Sequence, residues 1–446
     1  MRTRNFLNEC SVVAFVGFAC WGCARTSSDT TGNGGATANG GATVSGGVTG
    51  TAGLTSSGGS GIAGSSGGST ASGGALSTGG MTGSAGRTGS GGVVNTAGGS
   101  NSGGTSNAVG ASGSVGAAGS VGAAGAGGST TTTKLPCDIY AADGGPCVAA
   151  HSTVRSLLAA YSGALYQVKK GDGTTKDIPV LAPGGLADSS VQDSFCGTSA
   201  CTISIIYDQS GKGNHLTKAP AGGAKPTGDN EADAKALPVT LGGHKVYGEH
   251  NPTGVGYRNN AATGTATGDN AETQYMIVAG NYYNGGCCFD YGNMEKNSRD
   301  NGEGTMEAIY FGNCTNWGKG GGSGPWVMGD LENGLWAGNV SPYTNNTTLN
   351  SAFVTAMLKG DAAGKNHWAI KAGNSQSGKL TKMFDGARPS SRYNPMRKEG
   401  GIGLGIGGDN SNSAQGNFFE GVMTAAFSSD AADDAVQANI TSVYGP

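Results

Sequence analysis

The chain is short of charge, and the little it has is scattered. Asp, Glu, Lys and Arg make up 13% of the 446 residues, and the net charge is −3. Without a basic cluster, a nucleic-acid partner is not expected. The five histidines, at positions 151, 215, 244, 250 and 367, form no HExxH and no other close ligand pair, so neither a metal nor a cofactor is expected. There is no G-x-S-x-G elbow to support a serine hydrolase. The spaced glycines of "GIGLGIGGDN" (401–410) lack the following helix and βαβ setting that a dinucleotide site needs. Between residues 31 and 130 the chain has no aromatic residue, and Arg87 is its only charge. Such a stretch buries too little apolar surface to offset its ordering entropy.

What fills that stretch is glycine, 36 of the chain's 87, among Ser, Thr, Ala, Asn and Val. The glycines do not recur strictly every third residue, which excludes collagen. The reading is a flexible linker over 26–133, spanning about 50–60 Å for roughly 100 residues. Ahead of it, Arg2 and Arg4 precede an apolar stretch at 10–21 that is too short for a membrane span, which is a secretory signal pattern for residues 1–25. Plain secretion is one outcome. The other is a bacterial surface lipoprotein, anchored to the membrane through a lipid on Cys20 or Cys23.

From residue 134 onward, charges, aromatics and Leu, Ile and Val return, enough for one large core. Short apolar runs alternate with Gly/Asn/Asp turns, as in "CTISIIYDQSGKGNHL", "QYMIVAGNYY", "EAIYFGN", "WVMGDLENGLWAG", "FVTAMLKG" and "HWAIKAG". This spacing predicts an all-β sandwich or barrel. Two helices are predicted. One covers 151–161, starting at a Ser152 cap, and one follows Ser428 or Ser429, with acids in its first turn. Export makes the cysteines readable as disulfides. Cys137 and Cys147, Cys196 and Cys201, and the adjacent Cys287 and Cys288 are each near neighbours, one connectivity among many, and Cys314 stays outside this local scheme.

Paired carboxylates are the remaining candidate chemistry. If 326–336 is one strand, alternation puts Trp326, Met328, Asp330 and Glu332 on one face, which suits a sugar site. A solvated strand face is the plainer reading. In 401–410, Ile402, Leu404 and Ile406 would pack the core. The opposite face would offer bare glycine backbone to a ligand, with Asp409 at its rim. A Gly-Asp turn is the alternative there. Asp290, Glu295, Glu307 and Glu420 are rival acids, and spacing alone does not select among them.

Seven stretches in the same order, among them "CDIYAADGGPCVAAHSTVRSLLAAYSGALYQV", "CCFDYGNME", "GPWVMGDLEN" and "LGIGGDNSNSAQGNFFEGVMT", resemble the catalytic domain of the α-L-arabinofuranosidases of glycoside hydrolase family 54. The resemblance runs from about Cys137 to Tyr444. It implies a concanavalin-like or jelly-roll β-sandwich with few short helices over 134–446. It also implies retaining hydrolysis of terminal α-L-arabinofuranosyl groups, with Glu332 as nucleophile and Asp409 as acid/base. Sugar contacts fall on Cys287, Cys288, Trp317, Asp330, Asn333, Gly334, Leu335 and Gly408. A vicinal disulfide Cys287–Cys288 would wall the pocket, and 137–147 and 196–201 match the other two disulfides. Position 334 is often Asn in that family, so its side-chain contact would be missing here. Familiar members carry a C-terminal arabinose-binding β-trefoil, whereas this sequence ends at Pro446. The implied partner is an arabinofuranosyl-decorated plant cell-wall polysaccharide, acted on by a secreted monomer. A non-catalytic lectin-like module on a tether is the competing reading.

Overall fold

The computed structural model describes residues 133–446. The signal, lipidation and linker readings therefore lie outside the described residues. Among the described residues, two large antiparallel sheets face each other. The seven-stranded sheet centres on Glu272–Val278, paired on one side with Gly416–Thr424 and on the other with Val354–Gly360. The ten-stranded sheet carries, in spatial order, Leu335–Trp336, Trp326–Asp330, Glu307–Gly312, Asp290–Met294, Gly401–Leu404 and Tyr257–Asn259. The chain folds as a β-sandwich, as its apolar runs and turns predict.

The sheets meet where Glu307–Gly312 and Trp326–Asp330 pack on Val354–Gly360 and Trp368–Asn374. Contact is close: a Cβ added at Gly329 would lie 2.7 Å from the Trp368 ring. The inner faces supply a core that includes Met276, Ile309, Val327, Leu358 and Trp368. Glu272–Val278 is buried on both faces, because its outer face is covered as well. The cover includes the helix Asp430–Tyr444, capped by Ser429 as the sequence predicts. Its Tyr444 hydroxyl reaches Glu420 on the neighbouring strand.

The predicted helix at 151–161 does not form. Residues up to Ser152 belong to the strand Cys147–Ser152, and an irregular segment follows. Ser152 Oγ does accept from the N–H groups of Val154 and Arg155, as a cap would. Tertiary contacts then override the local signal. The Arg155 guanidinium is drawn onto Glu420 with N–O distances of 2.5 and 2.6 Å, both residues buried, while Val154 and Leu157 enter the core. Two short helices that the sequence did not announce, Pro136–Ala142 and Ser189–Cys196, complete the fold. No helix among the described residues is long and apolar enough to cross a membrane.

Candidate active site

A cavity opens against the ten-stranded sheet. Cys287, Cys288, Trp317, Asp330, Glu332, Gly334, Leu335, Gly408 and Asp409 all line it. Asn333 does not. Its backbone carbonyl instead accepts from the Tyr393 hydroxyl outside the cavity. Asp300, Met306, Gly407 and Ser411 also line the cavity and were not singled out from sequence.

The local conformations differ from simple alternation. The strand Trp326–Asp330 ends two residues before Glu332, which sits in the turn at φ +80°. Only a few per cent of non-glycine residues adopt positive φ, so this placement is a property of the turn rather than of the strand. Asp330 holds the turn by accepting the Glu332 N–H at 3.0 Å. Asp409 likewise lies beyond the strand Gly401–Leu404, in a tight turn reached through Gly405 at φ +77° and leaving through Asn410 at φ +66°. Ser411 N–H donates to Asp409 Oδ1 at 2.9 Å. The glycine face is not uniformly open to ligand. A Cβ at Gly403 would strike Met294, and one at Gly405 would strike Asn251. The close backbone approach belongs to Gly407 and Gly408, where the chain leaves the strand and reaches the cavity.

Three disulfides join Cys137 to Cys147, Cys196 to Cys201 and Cys287 to Cys288. The peptide between the adjacent pair is cis, so their Cα atoms are 2.9 Å apart rather than the trans spacing of about 3.8 Å. The pair is tied down by Ser413, whose N–H and Oγ both donate to the Cys287 carbonyl at 3.1 and 3.0 Å. Cys288 Sγ lies 3.3 Å from Asp330 Oδ2, a contact without a thiol proton because the sulfur is bridged. For the same reason the group Cys287, Cys288 and Asp330 offers no thiolate to a metal. Cys314 is buried in the apolar cluster beneath, with Cys288, Tyr310, Trp326 and Met328.

Electrostatically the site concentrates acids. Burial pushes Glu332 up to about 8, with Asp409 and Glu399 adding to the rise and the N–H groups of Asn301 and Gly302 opposing it. Burial also pushes Asp330 up to about 7, against the Glu332 N–H. Beside it, Asp290 is fully buried and rises well above the usual carboxylate range, first through burial and then through the Asp330 charge. Of the two, Asp290 holds the proton more tightly. Two further rivals take structural partners: Glu307 bonds Lys398 at 2.8 Å, and Glu420 bonds Arg155. One cation serves the cavity from behind. Arg258 is buried and donates to Asn410 Oδ1 at 2.8 Å and to the Gly407 carbonyl at 3.4 Å. Its own strand is three residues long, so no sequence pattern marked it.

Comparison with known proteins gives one family. The model for "Alpha-L-arabinofuranosidase B, catalytic" matches residues 136–444. The α-L-arabinofuranosidase B of Aspergillus oryzae is 58% identical over 314 residues, covering 68% of this chain and 61% of that protein. A Trichoderma koningii protein described as arabinofuranosidase/B-xylosidase is 57% identical over 313 residues, covering 68% of this chain and 62% of that protein. The chain thus spans about three fifths of the length of these curated relatives. A crystal structure of an arabinofuranosidase complexed with arabinofuranosyl-α-1,2-xylobiose superposes with TM-score 0.68 at 54% identity, covering 69% of this chain and 65% of that one. A glycoside hydrolase family 54 α-L-arabinofuranosidase soaked with a cyclic sulfate inhibitor superposes with TM-score 0.67 at the same identity, and the coverage is also the same.

Proposed function

Because this chain belongs to the α-L-arabinofuranosidase B catalytic family of glycoside hydrolase family 54, we propose that it is a retaining α-L-arabinofuranosidase. The observation that carries this reading is the meeting of Glu332 and Asp409 in one cavity walled by Cys287–Cys288. Two acids on one cavity are what a double displacement uses. Glu332 attacks the anomeric carbon while Asp409, protonated, donates to the leaving oxygen. A covalent arabinosyl-enzyme forms, and Asp409 then acts as base toward water. In retaining enzymes the two carboxyl groups stand about 5–5.5 Å apart.

The remaining lining residues orient the sugar. Asp330 accepts hydrogen bonds from ring hydroxyls. The Trp317 ring and the disulfide give apolar walls. Leu335 is pinned by its N–H to the Trp317 carbonyl at 3.1 Å, so wall and floor are fixed together. Gly334, at φ +136°, has no side chain to offer the substrate. A lectin needs no such acid pair, and the lectin reading is not favoured. The natural substrate of this reading is an arabinofuranosyl side chain of a plant polysaccharide. The signal-like N-terminus and three disulfides support secretion. Residues 134–446 form the catalytic unit, since every lining residue falls between 287 and 411.

The test is a panel of aryl glycosides with NMR of the first anomer released. The expected result is α-L-arabinofuranoside hydrolysis with retention. A β-xyloside belongs in the panel, given the description of the Trichoderma koningii relative. Glu332→Gln and Asp409→Asn should each lower kcat by at least about 100–1,000-fold. Near-wild-type turnover in either variant refutes that residue's role.

A further inference from the structure

Behind Glu332 stands a hydroxyl with more acceptors than it has protons. Thr305 Oγ1 contacts Glu332 Oε2, lies 3.2 Å from Glu295 Oε1 and lies 3.1 Å from the Gly302 carbonyl. A hydroxyl brings one proton and two lone pairs. It can donate to only one of these three oxygens. The second carboxyl contact is a hydrogen bond only if that carboxyl carries a proton and donates it to Oγ1.

Glu295 is placed to be that second acid. It is fully buried, and its Oε2 has no hydrogen-bond partner among the described residues. It lies directly beneath the Asp409 turn: a Cβ on Gly408 would come within 1.9 Å of Oε2. The nearest cation is Arg258, whose Nη2 is 4.0 Å from Oε2. On the other side, Glu332 Oε1 accepts from Asn301 N–H at 2.7 Å and from Gly302 N–H at 3.4 Å. The hydrogen bonds to the Glu332 carboxyl thus come from one loop, 301–305, and Thr305 is the contact whose hydroxyl can pass a proton on to a second carboxyl.

We propose that Thr305 is a positioning residue of the reaction, whose hydroxyl joins Glu332 to Glu295 so that the two acids hold one proton between them. This rests on the assignment of Glu332 as nucleophile. The transfer balances. As the proton on Glu332 Oε2 passes to Thr305 Oγ1, the hydroxyl's own proton passes to Glu295 Oε1. One O–H bond breaks and one forms at each oxygen pair, and the negative charge moves from Glu295, beside Arg258, to Glu332. In the resting cavity burial favours a neutral Glu332, and Arg258, 4.0 Å from Glu295 Oε2, is placed to hold the charge there. In the reacting complex it is on the nucleophile, with its Oε2 held by Thr305 and its Oε1 by backbone N–H groups. Asp330, Asp300, Asp409 and Glu399 also face this region, so the acidic limb of activity is set by the group as a whole.

The experiment is the pH dependence of kcat/KM on an aryl α-L-arabinofuranoside for the full chain and three variants. Thr305→Val removes the donor, so kcat should fall about 10–100-fold and the acidic limb should move up by about one pH unit. Thr305→Ser restores the hydroxyl and should restore both, which separates the effect from loss of packing. Glu295→Gln cannot carry the charge, so Glu332 ionises without competition and the limb should move down. Unmoved limbs in both Thr305→Val and Glu295→Gln, or limbs moved in the same direction, overturn the shared proton. An active Glu332→Gln variant would instead overturn the nucleophile assignment itself, so the two failures are told apart.

Discussion

Glu332 is a half-buried acid in a left-handed turn, and its protonation is linked to folding. Burial raises it from the ordinary glutamate value to about 8. The folded state therefore binds this proton more tightly than the unfolded chain does. Between the two values the native state holds the extra proton, so the contribution of Glu332 to stability falls as pH rises from the unfolded value through about 8. Glu332→Gln removes that titration. Thermal unfolding should show the variant gaining on the wild type from pH 5 to pH 8, and a constant difference would contradict the raised value. The same residue shows how far sequence reached. Its pairing with Asp409 came from motif resemblance. Strand alternation also singled out Glu332, but the strand stops at Asp330, so its placement rests on the turn. Thr305 and Arg258 carried no local signal, and Glu295 was one rival acid among several, because what defines them is proximity across 10 to 152 positions of chain.

At the scale of elements, the turn 405–411 delivers Asp409, and its backbone is packed from below. Gly408 is the tight point, with no room for a methyl group above Glu295. Gly408→Ala must shift either the turn or the acid under it. Misplacing a reacting group by about 1 Å can cost about 100-fold, so kcat/KM should fall by that order while far-ultraviolet circular dichroism stays unchanged. Full activity would show that the turn yields without moving Asp409. Strands were legible because their apolar runs are bounded by Gly, Asn and Asp, as in Glu307–Gly312 and Trp368–Asn374. The false helix at 151–161 has the opposite lesson. Its cap-like serine is real, yet Arg155 gains more from a buried bidentate partner than from a helical turn.

For the whole molecule, Arg155 and Glu420 tie the first part of the sandwich to its last long strand. Glu420 also accepts from the hydroxyls of Tyr275 at 3.0 Å and Tyr444 at 2.9 Å. Such a cluster fixes which surfaces meet, and removing one partner strands a buried charge. Glu420→Ala should cost about 3–5 kcal/mol in denaturant unfolding. The folded fraction should keep its kcat, because this acid is remote from the cavity lining. Loss of kcat without loss of stability would return Glu420 to the list of catalytic rivals.

By itself, the sequence determined the β-rich class, the closing helix behind Ser429 and the positions of the two acids. The first two are written in local periodicity and turn chemistry, and the third in motifs that keep their order. Only the tertiary structure decided which way Glu332 and Asp409 face, and that Asn333 is not among the residues lining the cavity. It also decided that Glu295, Thr305 and Arg258 stand behind them. Hydrogen bonding and desolvation act over a few ångströms of space, and antiparallel pairing brings into that range residues that the chain order keeps far apart.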